Sequence, residues 1–260
     1  MSQYILTTLT INTNKEIMNK IITTIAILAL TSVSANAIDR SSFGNFSLTG
    51  GLATNQSVWG GTAKQDEYNF AGTAIDASNE ESGVFTDGYA SQFIELGIGK
   101  YLSIGYEHTP DAITTPQNVN ESGSGATGAG GETSRVSVDF NDFNTTYAKL
   151  NLPFFNGAYV KAGTISTDLD IKETQLSGNT YNNISIDGTS MGAGYQRQLG
   201  GSGFDLRFEG NYVELDSATV NNGVAKTGGT AANGGFNEVK ASNLEGLTGK
   251  IAITYTFGRN

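Results

Sequence analysis

Cysteine is absent from the 260 residues, proline occurs three times and histidine once. Without cysteine there is no disulfide framework, and the length suits one domain of ordinary size. Charged residues make up only 15% and hydrophobic residues 38%, and the missing weight sits in Gly, Ser, Thr and Asn. These residues favour turns and strand edges, which argues against a helix bundle. Basic residues are also scarce, 15 against 25 acidic ones for a net charge of −10. Phosphate binding needs clustered Lys and Arg, and with no such cluster nucleic acid is excluded as a partner. After Ala37 no stretch approaches 18 consecutive apolar residues, so any residence in a membrane has to rest on strands.

The N-terminal region reads as an export signal. Met18-Asn19-Lys20 is a cationic start, 21–30 a mostly apolar core, and Ala35-Asn36-Ala37 a small-x-small ending. This predicts cleavage between Ala37 and Ile38. The domain reading is therefore an upstream extension at 1–17 that precedes the true start, a signal peptide at 18–37, and a barrel domain at 38–260. With no cysteine after the cut, a lipoprotein is excluded.

The rest of the chain alternates with period two. In the last segment Leu247, Gly249, Ile251, Ile253, Tyr255 and Phe257 alternate with Thr248, Lys250, Ala252, Thr254 and Thr256. Phe204, Leu206, Phe208 and Tyr212 alternate with Asp205, Arg207, Glu209 and Asn211 in the same way. Ile94, Leu96 and Ile98 share one face, Gly99-Lys100 turns the chain, and Leu102, Ile104 and Tyr106 continue as the second strand of a hairpin. Further strands are expected at 43–55, 135–152, 158–171 and 184–199, for a total of eight. Periodicity alone does not say whether the apolar faces turn to a core or to lipid. The export signal, aromatic strand ends and charges in mid-strand favour lipid. The predicted fold is an all-β, eight-stranded antiparallel up-and-down transmembrane β-barrel.

Connections alternate in length. Short links lie at Gly99-Lys100, 153–156 and 200–202, and long polar links are expected at 57–86, 110–133, 172–183 and 216–235. Short turns on the periplasmic side and long loops outside are the arrangement of outer-membrane barrels.

With these features the segment 43–257 resembles the OmpA/OmpW-like "porin family" of small outer-membrane barrels, especially the versions predicted in marine alphaproteobacteria. Its most specific element is the closing run, where Ile251, Ile253, Tyr255 and Phe257 resemble the signal read by the barrel-assembly machinery. Gly258-Arg259-Asn260 follow where the family pattern ends on its aromatic residue. The resemblance implies the cell outer membrane as location, a monomer, and outer-membrane lipids, lipopolysaccharide and the assembly machinery as partners.

Polar faces turned inward would make Glu95, Glu107, Lys149, Lys161, Arg207, Glu209 and Lys250 lumen residues. An eight-stranded interior is only wide enough for side chains to fill, so a packed ionic network is expected, with a narrow or gated conductance path as the functional alternative. The single histidine, His108, raises an outer-leaflet lipid A-modifying enzyme. Glu107 and His108 should face opposite ways, however, and no Ser lies two residues on, so a non-enzymatic, interfacial role is the expectation. Asp66, Glu67, Asp76, Glu80, Glu81, Asp87, Asp139 and Asp142 match no calcium-loop spacing and read as solvated acids, with no metal and no cofactor assigned. Trp59, Tyr89, Tyr106, Phe140 and Tyr212 are expected to form an outer aromatic girdle, and Tyr101, Phe154, Phe155, Phe204, Tyr255 and Phe257 an inner one. The leading functional reading is a structural or small-solute porin-like barrel. The alternative is a surface adhesin or receptor that acts through its loops.

Overall fold

The computed structural model describes residues 45–68, 72–122, 132–174, 181–201, 203–221 and 236–257. The upstream extension, the signal peptide with its Ala35, Ala37 and Ile38, and the tail 258–260 lie outside the described residues. The described chain is built of strands: β1 (Phe46–Tyr68), β2 (Ile75–Ile98), β3 (Leu102–Thr109), β4 (Ile113–Thr114), β5 (Asn118–Ser122), β6 (Glu132–Asn151), β7 (Ala158–Thr174), β8 (Ile184–Gln198), β9 (Phe204–Leu215), β10 (Ala218–Asn221) and β11 (Asn237–Phe257). Eight of them form an antiparallel ring in the order β1, β2, β3, β6, β7, β8, β9, β11. Pairing of β1 with β11, from Leu48 opposite Phe257 onward, closes it.

Neighbouring strands in the ring are joined at one end by tight turns, as the short links predict. Gly99, Gly157 and Gly200 take positive φ there, at 64°, 89° and 64°. The Gly99 N–H donates to the Asn45 carbonyl at 2.8 Å, tying the β2–β3 turn to the entry of β1.

Side chains alternate across most of the wall. On β11 Thr248, Lys250, Ala252, Thr254 and Thr256 are buried, whereas Leu247 and Ile251 are exposed. On β2 Phe93 and Glu95 are buried between the exposed Ile94 and Leu96. Large apolar groups therefore cover the outside, while ions, hydroxyls and a cluster of apolar side chains share the inside. This is the inverse of a water-soluble protein, and it is the distribution a barrel needs when its outer surface meets hydrocarbon.

Inward aromatic rings are seated on glycines of the neighbouring strand. Phe93 lies opposite Gly51, Tyr147 opposite Gly105, Tyr159 opposite Gly194 and Trp59 opposite Gly246. A Cβ at Gly105 would stand 2.4 Å from Tyr147 Cζ, so only glycine leaves room for the ring. The glycines thus let wide rings lie flat in a narrow lumen.

Two features depart from the sequence reading. The segments expected as long loops are largely extended. The β1–β2 ladder continues from 57 to Tyr68 and from Ile75 to 86, with a register shift between Glu67 and Tyr68, β4 and β5 pair with β6 inside 110–133, and β10 pairs with β11 inside 216–235. Past the lipid level both faces of a strand meet water, so the apolar alternation fades while the backbone ladder continues. At about 3.3 Å per residue β1 is roughly 75 Å long, far more than the ~9–11 residues a tilted spanning strand needs. Strands β10, β11, β1 and β2 therefore project from the barrel as a sheet.

The outer girdle is also only partly formed. Tyr106 stands exposed on the outside, but Trp59, Tyr89 and Phe140 are buried inside, at 4%, 8% and 5% exposure. Parity explains Trp59 and Tyr89, which share the inward face of Ser57 and Ser91. A β-bulge explains Phe140: the β6–β7 register shifts between Asn141 and Asn144, and Asp142 has φ 48°. One extra residue swaps the faces, so both Phe140 and Phe143 point inward.

Candidate functional site

The lumen is filled at two levels. At the level nearer the short turns all seven predicted charged residues come together, each at most 7% exposed. Arg207 on β9 donates through Nη1 to Glu95 Oε1 at 2.7 Å and through Nη2 to Glu95 Oε2 at 2.9 Å. Lys149 Nζ donates to the same Oε2 at 2.5 Å. One turn of the wall higher, Lys250 Nζ donates to both oxygens of Glu107 at 2.6 Å and to Glu209 Oε1 at 3.2 Å. Lys161 Nζ bridges the same two carboxylates, at 3.2 Å from Glu107 and 2.8 Å from Glu209.

Neutral donors complete the network. Tyr147 donates to Glu95 at 2.9 Å and Tyr159 to Glu209 at 2.7 Å. Ser91 donates to Glu107 at 2.7 Å, and Asn55 donates to Ser91 at 2.9 Å. The cations also rest on rings: Lys161 lies 4.1 Å from the centroid of Tyr147 and Arg207 Cζ 4.8 Å from that of Phe93. Asp205, fully buried one step below Arg207, adds a fourth carboxylate to four cations. A buried ion is tolerated only when its partners and hydrogen bonds are in place, and here three or more groups meet at each of the three glutamates.

The tyrosines were not picked out from the sequence as members of the network. Their signal is a repeated Tyr-x-Lys, Tyr147-Ala148-Lys149 on β6 and Tyr159-Val160-Lys161 on β7, which puts ring and ammonium on one face.

The second level, toward the projecting sheet, is apolar. Trp59, Phe140, Phe143, Ile165, Leu169 and Val213 pack into one cluster with Ile113, which is wholly buried. Trp59 stacks on Phe140 at 6.3 Å and meets Phe143 edge-on at 6.0 Å. Between the two levels lies a cavity of about 30 Å³, lined by Glu107, Lys161 and Lys250 below and by Tyr89, Phe143 and Val213 above. That is room for a water or two and no larger solute.

The other predicted residues separate. Ile251, Ile253, Tyr255 and Phe257 lie on the outward face of β11, where Tyr255 packs edge-on against Phe204 at 4.9 Å and Phe257 at 4.7 Å. His108 is half-buried on the outside of β3, back to back with Glu107. Its Nδ1 shares Asn144 Oδ1 with the Tyr106 hydroxyl, each at 2.7 Å.

Several of the acids are strand residues rather than solvated loop groups. Asp87 accepts from the Gly88 N–H at 2.8 Å and the Thr114 N–H at 3.2 Å, and Lys172 pairs with Asp139. In the projecting hairpin Asp66 accepts from Lys64 at 2.8 Å and from Ser78 at 2.5 Å. Those bonds, Lys64 first, hold the Asp66 carboxyl below the usual aspartate range and the Lys64 ammonium above its own.

No protein-family model and no curated protein matches the chain. Among solved structures it is similar to the outer membrane protein OprG from Pseudomonas aeruginosa, with 11% identity over 78% of this chain and 95% of that one and a TM-score of 0.47. It is also similar to Ail, the attachment invasion locus protein of Yersinia pestis, with 12% identity over 78% of this chain and 99% of that one and a TM-score of 0.35. The outer membrane protein AlkL matches with 11% identity over 80% of this chain and 90% of that one, at a TM-score of 0.39.

Proposed function

We propose that the chain is an outer-membrane β-barrel protein whose spanning part is a filled structural scaffold rather than an open channel. The observation that carries this reading is the two-level filling of the lumen, ionic from Glu95 to Lys250 and apolar around Trp59. A solute would have to part both levels, and separating one buried ion from its partners costs about 3–5 kcal/mol. The inverted surface supports residence among outer-membrane lipids and lipopolysaccharide as a monomer. The closing aromatic strand supports delivery by the barrel-assembly machinery. The finer placement, among the small OmpA/OmpW-like versions predicted in marine alphaproteobacteria, rests on the sequence resemblance alone. A lipid-modifying activity at His108 has little support, because the groups its ring meets are Asn144 and, through it, Tyr106.

The test is planar-bilayer conductance of protein refolded from Ile38, with folding verified by gel shift. Silence is the expected result. Discrete, reproducible steps would overturn the scaffold reading and make the interior charges selectivity residues.

A second reading, a surface receptor or adhesin, is favoured by one specific observation. The sheet β10, β11, β1, β2 extends well past the lipid level, and Ile75 and Val84 stand exposed on its β1–β2 hairpin. A filled barrel then serves to hold that sheet at the cell surface. Trimming the hairpin should abolish attachment of expressing cells to their target while leaving assembly intact.

A further inference from the structure

The outer wall carries a furrow near its short-turn end. On the outward face Ala148 of β6 and Ala162 of β7 are cross-strand neighbours, flanked by Ile104 on β3 and Met191 on β8. The next outward row toward the short turns holds Leu102, Leu150 and Val160. Two methyl groups set between larger side chains leave an apolar groove of about 530 Å³, open to the outside of the barrel. That volume is in the range of sites that hold a small ligand, and the surroundings at this level are hydrocarbon.

The lower end of the groove reaches the membrane interface. Tyr101, Phe154 and Phe155, in the turns beside it, stand exposed, and rings so placed sit among lipid headgroups. Lys100 is at the same place. Its carbonyl accepts from Asn151 Nδ2 at 3.2 Å, and the Asn151 N–H donates to the Tyr101 carbonyl at 2.7 Å, which seats the β2–β3 turn next to Leu102 and Leu150. The Lys100 side chain is exposed and meets no carboxylate among the described residues. The short turns 98–102, 150–158 and 197–204 contain Lys100 and Arg197 and no Asp or Glu, so this rim is cationic in a chain whose net charge is −10.

We propose that the groove holds one acyl chain of an anionic glycerophospholipid, with the lipid phosphate against the Lys100 ammonium. Short turns face the periplasmic leaflet, which in an outer membrane is built of glycerophospholipid. A zwitterionic headgroup brings an ammonium of its own to Lys100, whereas a net anionic one such as phosphatidylglycerol is attracted without that opposition. The apolar lining supplies affinity for the chain and the unshared cation at its interfacial end supplies the choice of headgroup. The site rests on the outer-membrane barrel reading and names the lipid that the barrel selects.

Protein refolded in phosphatidylcholine nanodiscs holding about 10% phosphatidylglycerol is extracted into mild detergent, and the lipid that stays bound is identified by native mass spectrometry. Phosphatidylglycerol is expected about fivefold above its share of the bilayer, the gain of one lysine at an anionic surface, and close to that share at ~1 M salt. Lys100→Gln should remove the preference, whereas Lys240→Gln, near the opposite end of the barrel on β11, should leave it. Ala162→Phe fills the furrow from outside and should lower the amount of either lipid retained while the folded gel shift stays intact. Bound lipid in the bulk ratio, a preference that survives Lys100→Gln, or retention unchanged by Ala162→Phe overturns the proposal. A second copy of the chain retained in place of lipid overturns it too, by assigning the groove to a protein contact. The gel shift in pure phosphatidylcholine tests the barrel reading separately: a chain that folds there but selects no lipid keeps that reading and loses the site.

Discussion

Arg207 and Glu95 stand 112 residues apart in sequence and face each other across the lumen in a two-pronged ion pair, at 2.7 and 2.9 Å. Planar guanidinium and carboxylate match in this geometry, which makes it the most directional contact of the interior. Lys149 shares the same carboxylate, so Glu95→Leu leaves two buried cations without their common anion. A loss of about 3–5 kcal/mol is expected. Urea unfolding in vesicles checks it, with fluorescence of Trp59, the single tryptophan, as reporter. A change below about 1 kcal/mol would show that the pair does not hold the barrel together.

Gly105 and Tyr147 make a second testable pair. All three atoms nearest a Cβ at position 105 belong to the Tyr147 phenol group, at 2.4 to 2.7 Å. Gly105→Ala should push the ring aside, break its hydrogen bond to Glu95 and cost about 1–3 kcal/mol. In the background of Tyr147→Leu the same substitution should be nearly silent. A double-mutant cycle measures this, and simple additivity would mean that ring and glycine are not coupled.

Phe257 closes the seam opposite Leu48 and packs on Tyr255, which in turn packs on Phe204. Phe257→Ala should lower the amount of heat-modifiable folded protein in the outer membrane, while refolding of the purified variant into detergent is little changed. Equal loss in both settings would assign Phe257 to stability rather than to recognition by the assembly machinery.

The projecting hairpin should loosen in acid. The Asp66 carboxyl is held below its unfolded value by Lys64 and Ser78, so its contribution is present above the ordinary aspartate pKa, ~3.9, and is lost as pH falls through the lower folded value. Hydrogen exchange of the backbone amides of 62–68 and 75–82 should accelerate below about pH 4 while the spanning strands stay protected. Asp66→Asn should remove that pH step. A step that survives the substitution would have to come from another carboxylate.

Period two by itself determined much of this protein. Once 94–98 or 204–212 is a strand, Glu95, Arg207 and Glu209 fall on one face and Ile94, Leu96 and Phe208 on the other, because successive side chains must point oppositely. Glycine-marked turns and the alternating closing strand likewise place the short-turn ends of the eight spanning segments within a few residues. Tertiary structure alone decided which charges meet. Closure of the ring and the stagger of its strands bring Glu95 to Arg207 and Glu107 to Lys250, and neither distance is written in local spacing. It also decided that Phe140 turns inward, since one extra residue at a bulge reverses parity without any mark in the hydrophobic pattern. The projecting sheet was hidden for a related reason: outside hydrocarbon a strand needs only its backbone partners, and a backbone ladder leaves no trace in side-chain polarity.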